Sequence, residues 1–135
     1  MEKITWTEAM SVGNKELDRQ HQQLFELINR LAEYQNNLLD SGESIRMDYV
    51  QDILNELANY ASYHFEYEEM LLRGVAYDQF NTHRQSHLQY VERVAELLVD
   101  GIQGNINFSN ILIFVRDWWV DHVLHSDMQY KGWCS

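Results

Sequence analysis

Val50-Gln-Asp-Ile-Leu-Asn-Glu-Leu-Ala-Asn-Tyr-Ala-Ser-Tyr-His64-Phe-Glu-Tyr-Glu68-Glu-Met-Leu71 carries one apolar seam, through Val50, Leu54, Leu57, Ala61, His64, Glu68 and Leu71. The steps alternate between four and three residues, which is the spacing of one buried helix face. Two members of that face, His64 and Glu68, are titratable. The stretch therefore predicts a helix that buries a histidine and a glutamate against its neighbours.

Three more seams have the same spacing. One runs through Leu17, His21, Leu24, Ile28, Leu31, Gln35 and Leu38 and stops at Asp40-Ser41-Gly42. Another follows Phe80, His83, His87, Tyr90, Val94 and Leu97, with Gly101 and Gly104 as its stop. The last follows Ile111, Val115, Trp118, His122 and His125, with Ser109 or Asn107 as a candidate N-cap. Gly74 ends the His64 helix. There is no proline, and the six glycines suit turns between long helices. Helices are expected over about 17–39, 47–72, 79–100 and 109–129, after an irregular N-terminal arm, 1–16, in which Gly13-Asn14 is a turn. Helices of about 20 residues joined by short loops pack antiparallel. The expectation is one all-α domain over 1–135, an antiparallel up-down-up-down four-helix bundle. Heme-binding bundles and cytokines share that architecture, so fold alone names no function.

Composition removes several function classes. The formal net charge of −11 argues against nucleic acid and against an anionic membrane surface. The opening MEKITWTEAM lacks an apolar signal core, and Ile111–Val115 is too short to span a bilayer. A cytoplasmic protein without membrane insertion is expected. The single cysteine, Cys134, excludes an internal disulfide and a cysteine-rich metal site.

All six histidines fall on seam positions, together with Glu68. A lone core histidine is commonly hydrogen-bonded to a neighbour, but six on four facing seams need a shared explanation. An unsatisfied buried polar group costs about 1–3 kcal/mol. Five or six would approach the whole stability of a domain, about 5–15 kcal/mol. Height along the bundle points the same way. His21, His83 and His87 open their helices, whereas His64, Glu68 and His122 lie near the ends of theirs. In an antiparallel bundle these side chains fall within roughly 12 Å of one end, at about 1.5 Å rise per residue. They predict one buried metal site of His21, His64, Glu68, His83, His87 and His122. Five imidazoles plus carboxylate exceed a tetrahedral zinc site. The mixed set fits two octahedral-type ions bridged by carboxylates, and ligand softness leaves iron, manganese and cobalt open.

Together these pieces resemble the bacterial hemerythrins over nearly the full length. The matching residues are Val12-Gly13 with Asp18-x-x-His21 and Leu24-Phe25; His64-Phe65-x-Tyr67-Glu68-Glu69; His83-x-x-x-His87; and Trp118-x-x-x-His122-x-x-x-x-Asp127-x-x-Tyr130. The resemblance implies two iron ions with an oxo or hydroxo bridge. His83, His87 and His122 would hold one and His21 and His64 the other, with Glu68 and Asp127 bridging both. Oxygen would bind reversibly at the iron with two histidines. Asp127 comes from the resemblance alone. Five residues beyond His122 it sits about 140° around an ideal helix, and the seam selects His125 instead. His125 is left as an extra ligand, a proton-relay residue or a polar residue at the bundle mouth.

Trp118, Trp119, Val120 and Val123 surround His122 in sequence and are read both as core and as the lining of an oxygen pocket that keeps water and anions out. Tyr63, Tyr67 and Tyr90 are read as packing or hydrogen-bonding groups near the site, Glu69 as solvent-facing, and Cys134 as an incidental thiol. The leading function is reversible oxygen binding without catalysis, for storage or for delivery to oxygen-using enzymes, by a monomer that closes on itself. An oxygen sensor would normally carry an attached signalling domain or membrane segment. The competing class is a di-iron oxidase, peroxidase or nitric-oxide-handling enzyme. Such enzymes typically carry Glu-x-x-His on two helices, and no Glu-x-x-His occurs here. A metal store is the third reading, and seven fixed ligands make a poor donor.

Overall fold

The computed structural model describes residues 2–102 and 107–134. Four α-helices make the bundle: α1 (Lys15–Ser41), α2 (Met47–Gly74), α3 (Phe80–Ile102) and α4 (Phe108–Asp121). No strand occurs among the described residues. Helix ends follow local capping chemistry. Asn14 opens α1 by accepting the Leu17 N–H on Oδ1 at 3.0 Å, and Asn107 opens α4 by accepting from the Asn110 N–H at 3.2 Å. Of the two candidate caps for α4, Asn107 is the one used. Gly42, at φ 70°, closes α1 in the left-handed region, its N–H donating to the Leu38 carbonyl. Gly101 lies within the last turn of α3, and Gly104, expected to share in stopping that helix, lies outside the described residues.

Neighbouring helices run antiparallel. Gln35 near the end of α1 donates to Ser109 at the start of α4, 2.8 Å. His21 near the start of α1 meets His64 near the end of α2, ring centroids 4.7 Å apart. The seams face inward as expected: Leu24, Ile28, Leu31, Val50, Leu54, Leu57, Tyr90, Val94, Ile111 and Val115 are all buried. A smaller apolar cluster of Val12, Leu17, Leu72, Tyr77, Tyr130 and Cys134 closes one end. The buried titratable seam residues adjoin both, with His83 beside Tyr77 and Tyr130 of this plug and His64 beside Phe65 of the main core. The N-terminal arm is tied down by Asn29, which exchanges two hydrogen bonds with the Ile4 backbone. Asp18 accepts from the Val12 N–H and the Ser11 hydroxyl. Within the resembling motif, Asp18 thus anchors the arm.

The fourth helix differs from the single span expected over 109–129. It is α-helical to Asp121, then makes one π turn over His122–Ser126 and a 3-10 turn over Asp127–Tyr130. In the π turn the Asp127 N–H donates to the His122 carbonyl, five residues back. The extra residue in the turn moves position i+5 back over position i, and such turns are frequent at functional sites.

Candidate metal centre

That π turn decides the site. It sets Asp127 over His122 and swings His125 outward. Asp127 is fully buried, with Oδ1 3.0 Å from His122 Nε2 and 3.1 Å from His83 Nε2, and Oδ2 3.0 Å from His21 Nε2. His125 is 65% exposed on its side chain, with its Nε2 3.8 Å from the exposed Asp121. The seam position is therefore the surface residue, and the off-seam position enters the site.

Glu68 is the second centre of the cluster. Its Oε1 lies 2.6 Å from His83 Nε2 and 3.1 Å from His87 Nε2, and its Oε2 lies 3.2 Å from His64 Nε2 and 3.6 Å from His21 Nε2. Two nested groups result. Glu68, His83, His87, His122 and Asp127 form one, and His21, His64, Glu68 and Asp127 the other, with potential ligand atoms of each group within 4.8 Å of one another. Both carboxylates belong to both groups. Every one of these residues is buried.

Orphaned atoms test whether a cation fits. Both ring nitrogens of His21, Nε2 of His64 and both oxygens of Asp127 are buried without a hydrogen bond. They approach one another closely but do not meet in hydrogen-bond geometry; they converge on shared space. His87 Nε2 and His122 Nε2 face each other at 3.2 Å. Leaving such groups unpaired costs about 1–3 kcal/mol each, and a cation ligated by them removes that cost. Imidazole and carboxylate together suit a first-row transition ion.

Electrostatics agree with the geometry. Burial alone would keep Glu68 and Asp127 protonated, yet the imidazoles packed around them hold both carboxyls well below their ordinary range. Burial opposes charge on His21 and His83, but the Asp127 and Glu68 carboxylates beside them outweigh it and lift them to about 9 and about 10. Burial holds His64 below its usual value. Two buried anions thus demand positive charge beside them, which protons or metal ions can supply in competition.

The outer supports were not all legible in advance. His64 Nδ1–H donates to Gln20 Oε1 at 2.7 Å, and Gln20 is fully buried. The Tyr130 hydroxyl donates to Glu68 Oε2 at 2.9 Å. Ser86 Oγ lies 3.3 Å from His122 Nδ1. Glu69, expected to face solvent, instead turns back and accepts from His87 Nδ1–H at 2.9 Å. Gln20 and Glu69 occupy flanking positions at seam spacing, Gln20 between Leu17 and Leu24 and Glu69 between Phe65 and Leu72. A polar residue spaced like the core was the available signal. Tyr63, expected near the site, is 51% exposed and packs beside Tyr60 on the surface. Tyr67 is half-buried against the end plug, and Tyr90 is buried against Trp118 and Trp119. Cys134 is buried in that plug, where burial and the charge of Glu68 raise its thiol pKa.

Of the four expected lining residues, Trp119 and Val123 are fully buried. Trp119 stacks on Phe65 and lies 5.9 Å from His64. Trp118 is half-buried and stacks on His122 at 4.4 Å. Val120 is half-buried at the margin of the core. Phe65, in turn, stacks on His87 at 3.9 Å.

Comparison with known proteins meets this geometry. The family model described as Hemerythrin HHE cation binding domain matches residues 12–134. A bacteriohemerythrin of Clostridium acetobutylicum is 28% identical over 129 residues, which is 94% of this chain and 98% of that protein. A hemerythrin-like protein of Naegleria gruberi is 32% identical, covering 96% and 92%. Among solved structures, wild-type hemerythrin superposes with TM-score 0.81 at 28% identity, over 97% of this chain and 96% of that one. A mutant hemerythrin, also 28% identical, gives 0.84, over 100% and 99%. A buried histidine and carboxylate cluster in a four-helix bundle, matched along almost its whole length, makes this chain a member of the hemerythrin family.

Proposed function

We propose that this protein binds molecular oxygen reversibly at a pair of iron ions, as a storage or delivery protein rather than an enzyme. The observation that carries the reading is the nesting of the two ligand groups, which share Glu68 and Asp127. One metal position draws on His83, His87 and His122, and the other on His21 and His64. An iron pair held there would supply the two electrons that reversible oxygen binding requires.

The chain's own residues make that exchange controllable. Glu68 and Asp127 each offer one oxygen to each group, so they fix the two positions relative to each other. Tyr130 restrains Glu68, and Gln20 orients His64. The His21–His64 side offers one imidazole fewer than the other, so oxygen would be taken on that side. Phe65 and Trp119 each lie 5.9 Å from His64, and with Val123 buried in the same core they give the cluster an apolar flank that limits the entry of water and anions. We read the protein as a cytoplasmic monomer serving oxygen-using enzymes. No helix among the described residues is long and apolar enough to cross a membrane.

The test is spectroscopic. Iron-loaded protein cycled between argon and air is expected to gain a visible charge-transfer band in air and lose it under argon, repeatedly and with full recovery. Steady oxygen consumption with progressive bleaching would identify an oxidase instead.

A further inference from the structure

The outer hydrogen bonds treat the two metal positions differently. On the three-histidine side, His87 Nδ1–H donates to a carboxylate, Glu69 Oε2, at 2.9 Å. On the two-histidine side, His64 Nδ1–H donates to a neutral amide, Gln20 Oε1, at 2.7 Å. His122 has only the Ser86 hydroxyl, at 3.3 Å, and His21 Nδ1 has no hydrogen bond. Among the described residues, Glu69 is the one carboxylate bonded to the outer nitrogen of any of the five histidines. It is itself held by Arg84, whose Nε lies 3.4 Å from Oε1. Arg84 is 53% exposed on its side chain and Glu69 20%, so the chain Arg84–Glu69–His87 runs from solvent to the cluster.

We propose that Glu69 is a positioning and tuning residue that makes the three-histidine position the more electron-rich of the two, and that Arg84 moderates it. This deepens the di-iron reading and rests on it. A carboxylate accepting from Nδ1–H draws that proton toward itself and raises the basicity of Nε2. A more basic imidazole favours the higher charge on the metal it holds. An amide acceptor orients the ring with far less of this effect. The guanidinium beside Glu69 withdraws part of the carboxylate's charge, so it acts in the opposite sense. The pairing also fixes the ring plane of His87 from one edge while Phe65 stacks on its face at 3.9 Å.

The experiment compares Glu69→Gln, Glu69→Ala, Arg84→Ala and the control Glu66→Gln, an exposed carboxylate on the same helix. Each is scored by iron per chain, by the midpoint potential of the iron-loaded protein, and by cobalt(II) affinity of the metal-free protein. Glu69→Gln keeps an acceptor but loses the charge, so two irons are retained and the midpoint moves to more positive values. Arg84→Ala moves it the other way. Glu66→Gln stays at wild type. Glu69→Ala loses the acceptor and is expected to weaken cobalt binding at one position by about 10–100-fold. If Glu69→Gln and Glu66→Gln give the same midpoint while both hold two irons, the inference is overturned. If the wild-type protein itself fails to hold two irons, the di-iron reading is what has failed.

Discussion

Asp127→Ala is expected to empty both metal positions, lowering iron from two per chain toward none. Asp127 belongs to both ligand groups and approaches His21, His83 and His122 within 3.0–3.1 Å. Its removal takes an oxygen from each position and leaves the converging imidazoles with one carboxylate between them. They can then share Glu68 by protonation, which opposes metal binding because the ligands must be deprotonated. The helices themselves do not depend on this side chain, so far-ultraviolet circular dichroism should stay close to wild type. His125→Ala is the matched control. It lies on the extrapolated seam but on the surface, and it should retain both irons. Iron determination by plasma emission on the two variants reads out the π turn directly. Loss of iron in the His125 variant with retention in the Asp127 variant would return the site to the regular helical register.

Trp119→Ala is expected to destabilise the iron-loaded protein by about 3–5 kcal/mol, the range for removing a large core aromatic. Trp119 is fully buried, stacks on Phe65 at 5.3 Å, and meets Tyr90 edge-on at 5.4 Å. It stands on α4 between these residues of α2 and α3, so the neighbours cannot all collapse into the gap. At fixed iron concentration the loss should appear as a fall in Tm of about 10–20 °C. Trp119→Phe should cost much less, because a ring remains between Phe65 and Tyr90. Equal Tm values for Trp119→Ala and wild type would show that this wall is not part of the supporting core.

These two residues also show how far periodicity carries. Trp119 lies one step off the Trp118 seam, yet it is Trp119 that is fully buried while Trp118 leans against His122 from the margin. A stripe wide enough to pack against two neighbours includes both. Six ligand candidates were legible because they obey the 3.6-residue period on regular helices. Asp127 was not, because the period fails where the chain takes a π turn, and only the resemblance pointed to it. The same failure misplaced His125. Glu69 and Gln20 were hidden for a different reason. Each is set by which neighbouring helix faces the flank of its own, and that is a matter of bundle packing. Tyr63 shows the converse, an aromatic close in sequence to His64 yet on the outer face of α2. Helix stops were easier to read. Gly42 ends α1 through its own left-handed backbone, and Asn107 opens α4 through its own side chain.

Two irons held by seven side chains in one buried cluster are what the proposed function requires. An anomalous-difference map from a crystal of the iron-loaded protein, recorded at the iron absorption edge, tests that requirement most directly. Two peaks are expected, one among His83, His87 and His122 and the other between His21 and His64, with Glu68 and Asp127 adjoining both. A single peak, or a second peak ligated by His125 instead of Asp127, would contradict it.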